Sequence, residues 1–168
     1  MDIFIEKIVL RKKTSKDQLI TMGIIVGGFI ATIAVFSIPA LAPFALFIAA
    51  AIVYGAFYFS KSRNIEFEYA VTNGELDIDK IIAQRRRKRV FSASSKDFEI
   101  VAKLKSDKYS NEYKNIKNRI EAVSSMESSD VYFLVTNYKG ERTIVFFEPD
   151  KRMIDNFKTF ISRKVFEY

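Results

Sequence analysis

The sequence predicts an α+β protein in which two apolar, membrane-crossing helices form a hairpin and precede an antiparallel β domain closed by a C-terminal helix. Three observations predict it. No charged side chain occurs between Asp17 and Lys61. Beyond Lys61 the apolar residues alternate, in strand-length segments parted by glycine-containing turns. The last twenty residues then return to a helical, amphipathic spacing.

The first observation defines residues 18–60, with helices expected at 19–36 and 41–59 and a short Pro-containing break from Ser37 to Pro43. Each span would measure roughly 27 or 28 Å as a helix, close to the thickness of a hydrocarbon core. A charge at mid-bilayer costs about 3 kcal/mol, so its absence over such a length is what a membrane segment requires. Two other readings compete. A pair of buried helices in a soluble core would normally keep a polar face. A signal peptide would use Lys12, Lys13 and Lys16 as its basic region and Ala40-Leu41-Ala42 as its cleavage site. Against that, the apolar run before the site exceeds the usual length of about 7–15 residues, and a second span follows at once.

Basic residues flank the pair: Lys7, Arg11, Lys12, Lys13 and Lys16 precede it, Lys61 and Arg63 follow it, and the connection has none. The expected localisation is therefore the cell membrane, multi-pass, with both termini cytoplasmic. Gly23 and Gly27 form a GxxxG pair, and Ala45, Ala49 and Gly55 put small residues on the second span. They suit close packing within the hairpin or in a homo-oligomer.

Residues 1–17 place Ile3, Phe4 and Ile8, with Ile5 and Val9, against Asp2, Glu6 and Lys7. This predicts a cytoplasmic, interfacial amphipathic helix, or else a frayed terminus. Residues 64–168 form the expected cytosolic domain. In IEFEYAVT, Ile65, Phe67, Tyr69 and Val71 point one way and Glu66, Glu68 and Thr72 the other; Asn73-Gly74 then supplies a tight turn into LDIDKII. RKRVFSAS and DFEIVAKL read as the third and fourth strands. A polar stretch from Ser106 to about Ser129 follows, with either a short strand near Ile120 to Ser124 or a loop with one helical turn. DVYFLVTNYKGERTIVFFEP is a second hairpin turning at about Tyr138 to Gly140. After Pro149 and Asp150 a helix begins, with Met153, Ile154, Phe157, Phe160 and Ile161 on its covered face.

The segment Tyr69-Ala70-Val71-Thr72-Asn73-Gly74-Glu75-Leu76-Asp77-Ile78, followed by Arg85 to Arg89, resembles the Tyr-x-x-Thr turn, the next strand and the basic segment of bacterial PH-like membrane proteins. The chain is also similar to a narrower family of small two-span proteins. The resemblance implies a PH-like β-barrel or sandwich closed by the C-terminal helix. Phosphoinositide-binding members of that superfamily hold the head group around a roomy first loop. Here that loop is expected to be the tight Asn73-Gly74 turn, with Asp77 and Asp79 close behind, so no inositide pocket is expected there.

What remains is chemistry, and the composition removes much of it. The 168 residues carry a net charge of +7 with no His and no Cys, so the commonest metal ligands and the commonest general base are missing. The lack of Cys also fits a reducing compartment. Ser94, Ser95 and Lys96 are adjacent and Asp77 and Asp79 share a strand face, but such neighbours read most simply as solvated. Gly27-Gly28 lies in the first span rather than in a phosphate-cradling loop. The expectation is a non-enzymatic module with no catalytic residue, cofactor or metal.

The candidate site is the basic run Arg85, Arg86, Arg87, Lys88 and Arg89. With Gln84 to Arg87 as the turn and Lys88 opening the strand, its guanidinium groups would fan into solvent. Three readings stay open: a solvated turn protecting a sheet edge, contact with anionic lipid head groups, and nucleic-acid binding, which is disfavoured without a recognition module. The expected partner is the lipid bilayer, with a protein partner or a second copy also open.

Overall fold

The computed structural model describes residues 4–167. Two compact units divide the chain, one formed by residues 12–65 and the other by residues up to 11 together with those from 66 onward. The second unit thus begins before the first. Strand β1 (Phe4–Leu10) comes ahead of helices α1 (Ser15–Ser37) and α2 (Ala45–Lys61), and β2 (Ile65–Thr72) comes after them.

Strand β1 corrects the expected interfacial helix. Residues 1–3, with Ile3 of that expected helix, lie outside the described residues. The remainder pairs antiparallel with β2 from Phe4↔Thr72 to Leu10↔Glu66. Ile5 and Val9 are buried, whereas Phe4, Ile8 and Leu10 are exposed on the opposite face. Apolar residues on both faces had imitated a helical stripe. The domain expected at 64–168 therefore also includes β1, and the Asn73-Gly74 turn is its second connection. The first is the whole stretch 11–64.

Helix α1 starts where a reciprocal cap starts it. Thr14 Oγ1 accepts from Asp17 N at 3.3 Å, and Asp17 Oδ2 accepts from Thr14 N at 3.1 Å. A 3-10 turn, Pro39–Phe44, reverses the chain into α2. A Cβ on Gly28 would lie 3.3 Å from that of Ala56, so glycine sets the helix separation there. Both helical segments are long and apolar enough to cross a membrane, and only 6% of each apolar window is buried.

Beyond β2 come β3 (Glu75–Ile82), β4 (Arg86–Ser94) and β5 (Phe98–Lys103). One helical turn, α3 (Asn111–Lys114), precedes β6 (Asn118–Glu121), and β7 (Tyr132–Tyr138) and β8 (Glu141–Phe147) form the second hairpin. Helix α4 (Lys151–Ile161) and β9 (Val165–Phe166) end the fold. The strands make two sheets, β1-β2-β3-β4 and β6-β8-β7-β5-β9. They are not closed into a barrel among the described residues, and the 3-10 turn Ser95–Asp97 carries the chain from one sheet to the other between β4 and β5.

Between the sheets lies an aromatic core that includes Tyr69, Phe91, Phe98, Phe147 and Phe157, whereas Phe133 and Phe146 pack on the other face of the second sheet, against Tyr109. Tyr69 ties the sheets together: its hydroxyl donates to Ala122 O and accepts from Glu148 N at 3.2 Å. Burial pushes its ionisation well above the ordinary tyrosine value.

Asp150 caps α4, accepting from Met153 N at 2.8 Å. Met153, Ile154, Phe157 and Ile161 are buried as the spacing predicts, but Phe160 is 41% exposed. Its ring lies on the Asn73-Gly74 turn, where a Cβ on Gly74 would come within 2.7 Å of it. With φ of 51° and 83°, Asn73 and Gly74 form the left-handed pair that a tight hairpin needs.

Candidate anionic-surface site

The basic run lies on β4 and the turn before it. That turn is tighter than expected. Ala83 and Gln84 take φ of 53° and 56°, Arg85 N donates to Ile82 O at 3.1 Å, and β4 opens at Arg86. Two successive non-glycine residues in this region carry strain of about 1–2 kcal/mol each. Gln84 also reaches across to β2, its Nε2 donating to Glu66 Oε1 at 3.1 Å. The turn is thus held at the end of the sheet where β1 leaves at Leu10 and β2 enters at Glu66.

A β-bulge decides to which faces the four cations on β4 turn. The register runs Ile78↔Phe91 and then Asp79↔Arg89, so Val90 is the extra residue. Arg87 and Arg89 consequently share a face with Asp77, Asp79 and Glu68. Arg87 bonds Glu68, with Asp79 at 3.7 Å, and Arg89 bonds Asp79, with Asp77 at 2.8 Å. These two do not fan freely into solvent, contrary to the expectation from sequence. The hydrogen bond to Asp79 is the first reason that Arg89 holds its proton more tightly than usual. Glu68, only 7% exposed, has its carboxyl pushed above the ordinary value by burial first and then by a hydrogen bond with Glu6.

The other face differs. Lys80 stands directly opposite Lys88, and Ile82 opposite Arg86, on the side continuous with buried Leu76 and Ile78. Among the described residues, Lys80, Arg86 and Lys88 have no ion-pair partner. Like charges directly across a ladder are destabilising, and an anion between them would relieve that. This end of the sheet is therefore electrically two-sided. One face bears three unneutralised cations, and the other sets the carboxylates of Glu66, Glu68, Asp77 and Asp79 against Arg87 and Arg89.

Of the five residues expected at the site, Arg86 and Lys88 belong to this cationic face, Arg87 and Arg89 to the acidic one, and Arg85 to the turn. Lys80 was missed. Its only signal was its place two residues after Ile78, which is informative once the partner strand's register is known. Among the described residues no cluster of His, Cys, Asp or Glu has metal-holding geometry.

Two antiparallel-rich sheets covered by one amphipathic helix, with a charged hairpin at one end, agree with the PH-like class of domains, which are generally non-catalytic. The family model described as a bacterial PH-like domain (DUF6106) matches residues 1–167, and the chain belongs to that family. No curated protein and no solved structure matches it.

Proposed function

We propose that the protein is a membrane-anchored, non-enzymatic interaction module whose helices α1 and α2 cross the cell membrane, with both termini cytoplasmic. The face formed by Lys80, Arg86 and Lys88 meets anionic head groups of the leaflet to which the domain is tethered. The single observation that carries this reading is that unneutralised row of cations, placed at the end of the sheet through which the chain runs to the hairpin. Each cation near an anionic leaflet contributes about 1 kcal/mol. The contribution vanishes beyond a screening length of about 8 Å, and a tether keeps the distance short. Two further observations support the anchor. The helices are almost wholly exposed, unlike those of a soluble core, and the β1–β2 ladder requires the chain on both sides of the hairpin to share one compartment.

The test uses full-length protein in lipid nanodiscs, with a fluorophore on Gln84→Cys, a labelling site made simple by the absence of native cysteine. Head-group quenchers should quench it in anionic discs, and about 1 M salt, which shortens screening to about 3 Å, should release it. Lys80→Gln with Lys88→Gln should abolish quenching, whereas Arg87→Gln should not. Quenching indifferent to salt and lipid charge would refute the proposed contact. Cysteines at Ser37 and Ser110 report topology: reagent outside intact cells should reach the first and not the second, and the reverse pattern overturns the orientation.

A second reading, a protein partner or a second copy, is favoured by the outward row Phe4, Ile8 and Leu10, exposed by 60%, 51% and 67% on an edge strand. Crosslinking from Ile8→Cys would capture that neighbour.

A further inference from the structure

Alongside the contact between Gly28 and Ala56, α1 and α2 leave a groove of about 400 Å³, lined by residues that include Phe29, Thr32, Val53, Phe57 and Ser60. That is within the range of roughly 300–1,000 Å³ that single small ligands fill. Its chemistry changes along its length. Val53, Phe57 and Phe29 offer only hydrocarbon, and the hydroxyl of Thr32 is already bonded to Gly28 O at 2.8 Å. At the other end Ser60 Oγ is buried and, among the described residues, has no hydrogen-bond partner. The ammonium of Lys61 lies 4.4 Å from the centre of the Phe57 ring, on the wall of the groove. In the turn beyond, Arg63 N donates to Ser60 O at 3.3 Å, while Arg63 Nε is likewise buried and unpartnered among the described residues.

An occupant that satisfies all of this is apolar along most of its length, presents an acceptor to a hydroxyl near one end, and is anionic beyond that end. We propose that the groove binds one anionic phospholipid, an acyl chain lying between Phe29 and Val53, an ester oxygen meeting Ser60, and the phosphate facing Lys61 and Arg63. An unpaired hydroxyl in hydrocarbon is costly, and a second helix packed here would leave both cations without a counter-charge. The site is distinct from the Lys80 face and rests on the reading that the hairpin lies in a membrane.

Native mass spectrometry of full-length protein in mild detergent, exposed to equal dioleoylphosphatidylglycerol and dioleoylphosphatidylcholine, tests it. One phosphatidylglycerol per chain should be retained, preferred by roughly thirty-fold, because choline cancels in phosphatidylcholine the net negative charge that two cations meet at about 1 kcal/mol each. Lys61→Gln with Arg63→Gln should erase the preference, and Val53→Phe, which fills the groove, should remove both lipids. Val26→Phe, outside the groove, should change nothing. Equal retention by the native protein and Val53→Phe, absence of head-group preference, or a lipid-free dimer in place of the lipid adduct would each overturn the proposal. Alkaline carbonate extraction of cell membranes reads the anchor separately. Release into the supernatant removes both the anchor and this site, whereas retention without lipid selectivity removes the site alone.

Discussion

Replacing Tyr69 by Phe isolates the bond that joins the two sheets. The ring is kept, with its edge-on packing against Phe147 at 6.1 Å, and only the hydroxyl is lost. Two buried backbone groups then lose their partner, the Ala122 carbonyl and the Glu148 N–H. A buried group left unsatisfied costs about 1–3 kcal/mol, so the substitution should destabilise the β domain by about 2–4 kcal/mol. With a urea dependence of about 1–3 kcal/mol per molar, the midpoint should fall by roughly 1–2 M. Pulse proteolysis of the full-length protein in mild detergent across a urea series measures this. Tyr138→Phe, at a half-buried ring tilted against Phe91, should stay within about 0.5 kcal/mol. A Tyr69→Phe change as small as that control would show that the hydroxyl does not tie the sheets.

Gly74→Ala should cost about 1–2 kcal/mol for its positive φ and more for the approach to Phe160, and adding Phe160→Ala should recover only the second part in a double-mutant cycle. Combining Ala83→Asn with Gln84→Gly, which gives the β3–β4 turn residues suited to positive φ, should relieve strain and raise the thermal midpoint by an amount equivalent to about 1 kcal/mol, unless loss of the Gln84–Glu66 bond outweighs it; a Gln84→Ala control measures that loss. Glu68 gives a pH signature. Its folded-state value is raised above 4.5, so the folded protein holds the extra proton. Stability from this group is complete below about pH 4.5 and is lost as pH rises through the raised value. Glu68→Gln should flatten that decline in a series of thermal midpoints, and an unchanged slope would exclude the group.

The strand pairs that a reader of the sequence recovers are those whose two faces differ. In β2 every second residue is apolar, and Asn73-Gly74 announces its own geometry. The β7–β8 hairpin was equally plain. Strand β1 was hidden because Phe4, Ile8 and Leu10 make its solvent side as apolar as its core side, so no period of two stands out. The short strand expected near Ile120 to Ser124 runs from Asn118 to Glu121 and pairs parallel with β8, a long-range contact that leaves little local trace. At the site, composition located the charge but not its direction. Strand alternation separates Arg86 and Lys88 from Arg87 and Arg89, but the bulge at Val90 decides which pair shares the face of Phe91, and nothing in Arg-Val-Phe signals an unpaired residue.

Because β1 precedes α1 while its ladder partner follows α2, β1 must wait for more than fifty further residues of nascent chain before it can find its place. During that interval its apolar side chains have no sheet to join, and the whole helical hairpin must be synthesised before the domain can be completed. If the hairpin crosses a membrane as proposed, folding of the β domain reports correct insertion. On that reading, a copy with only one helix across the membrane would hold the two strands on opposite sides and leave the sheet unfinished.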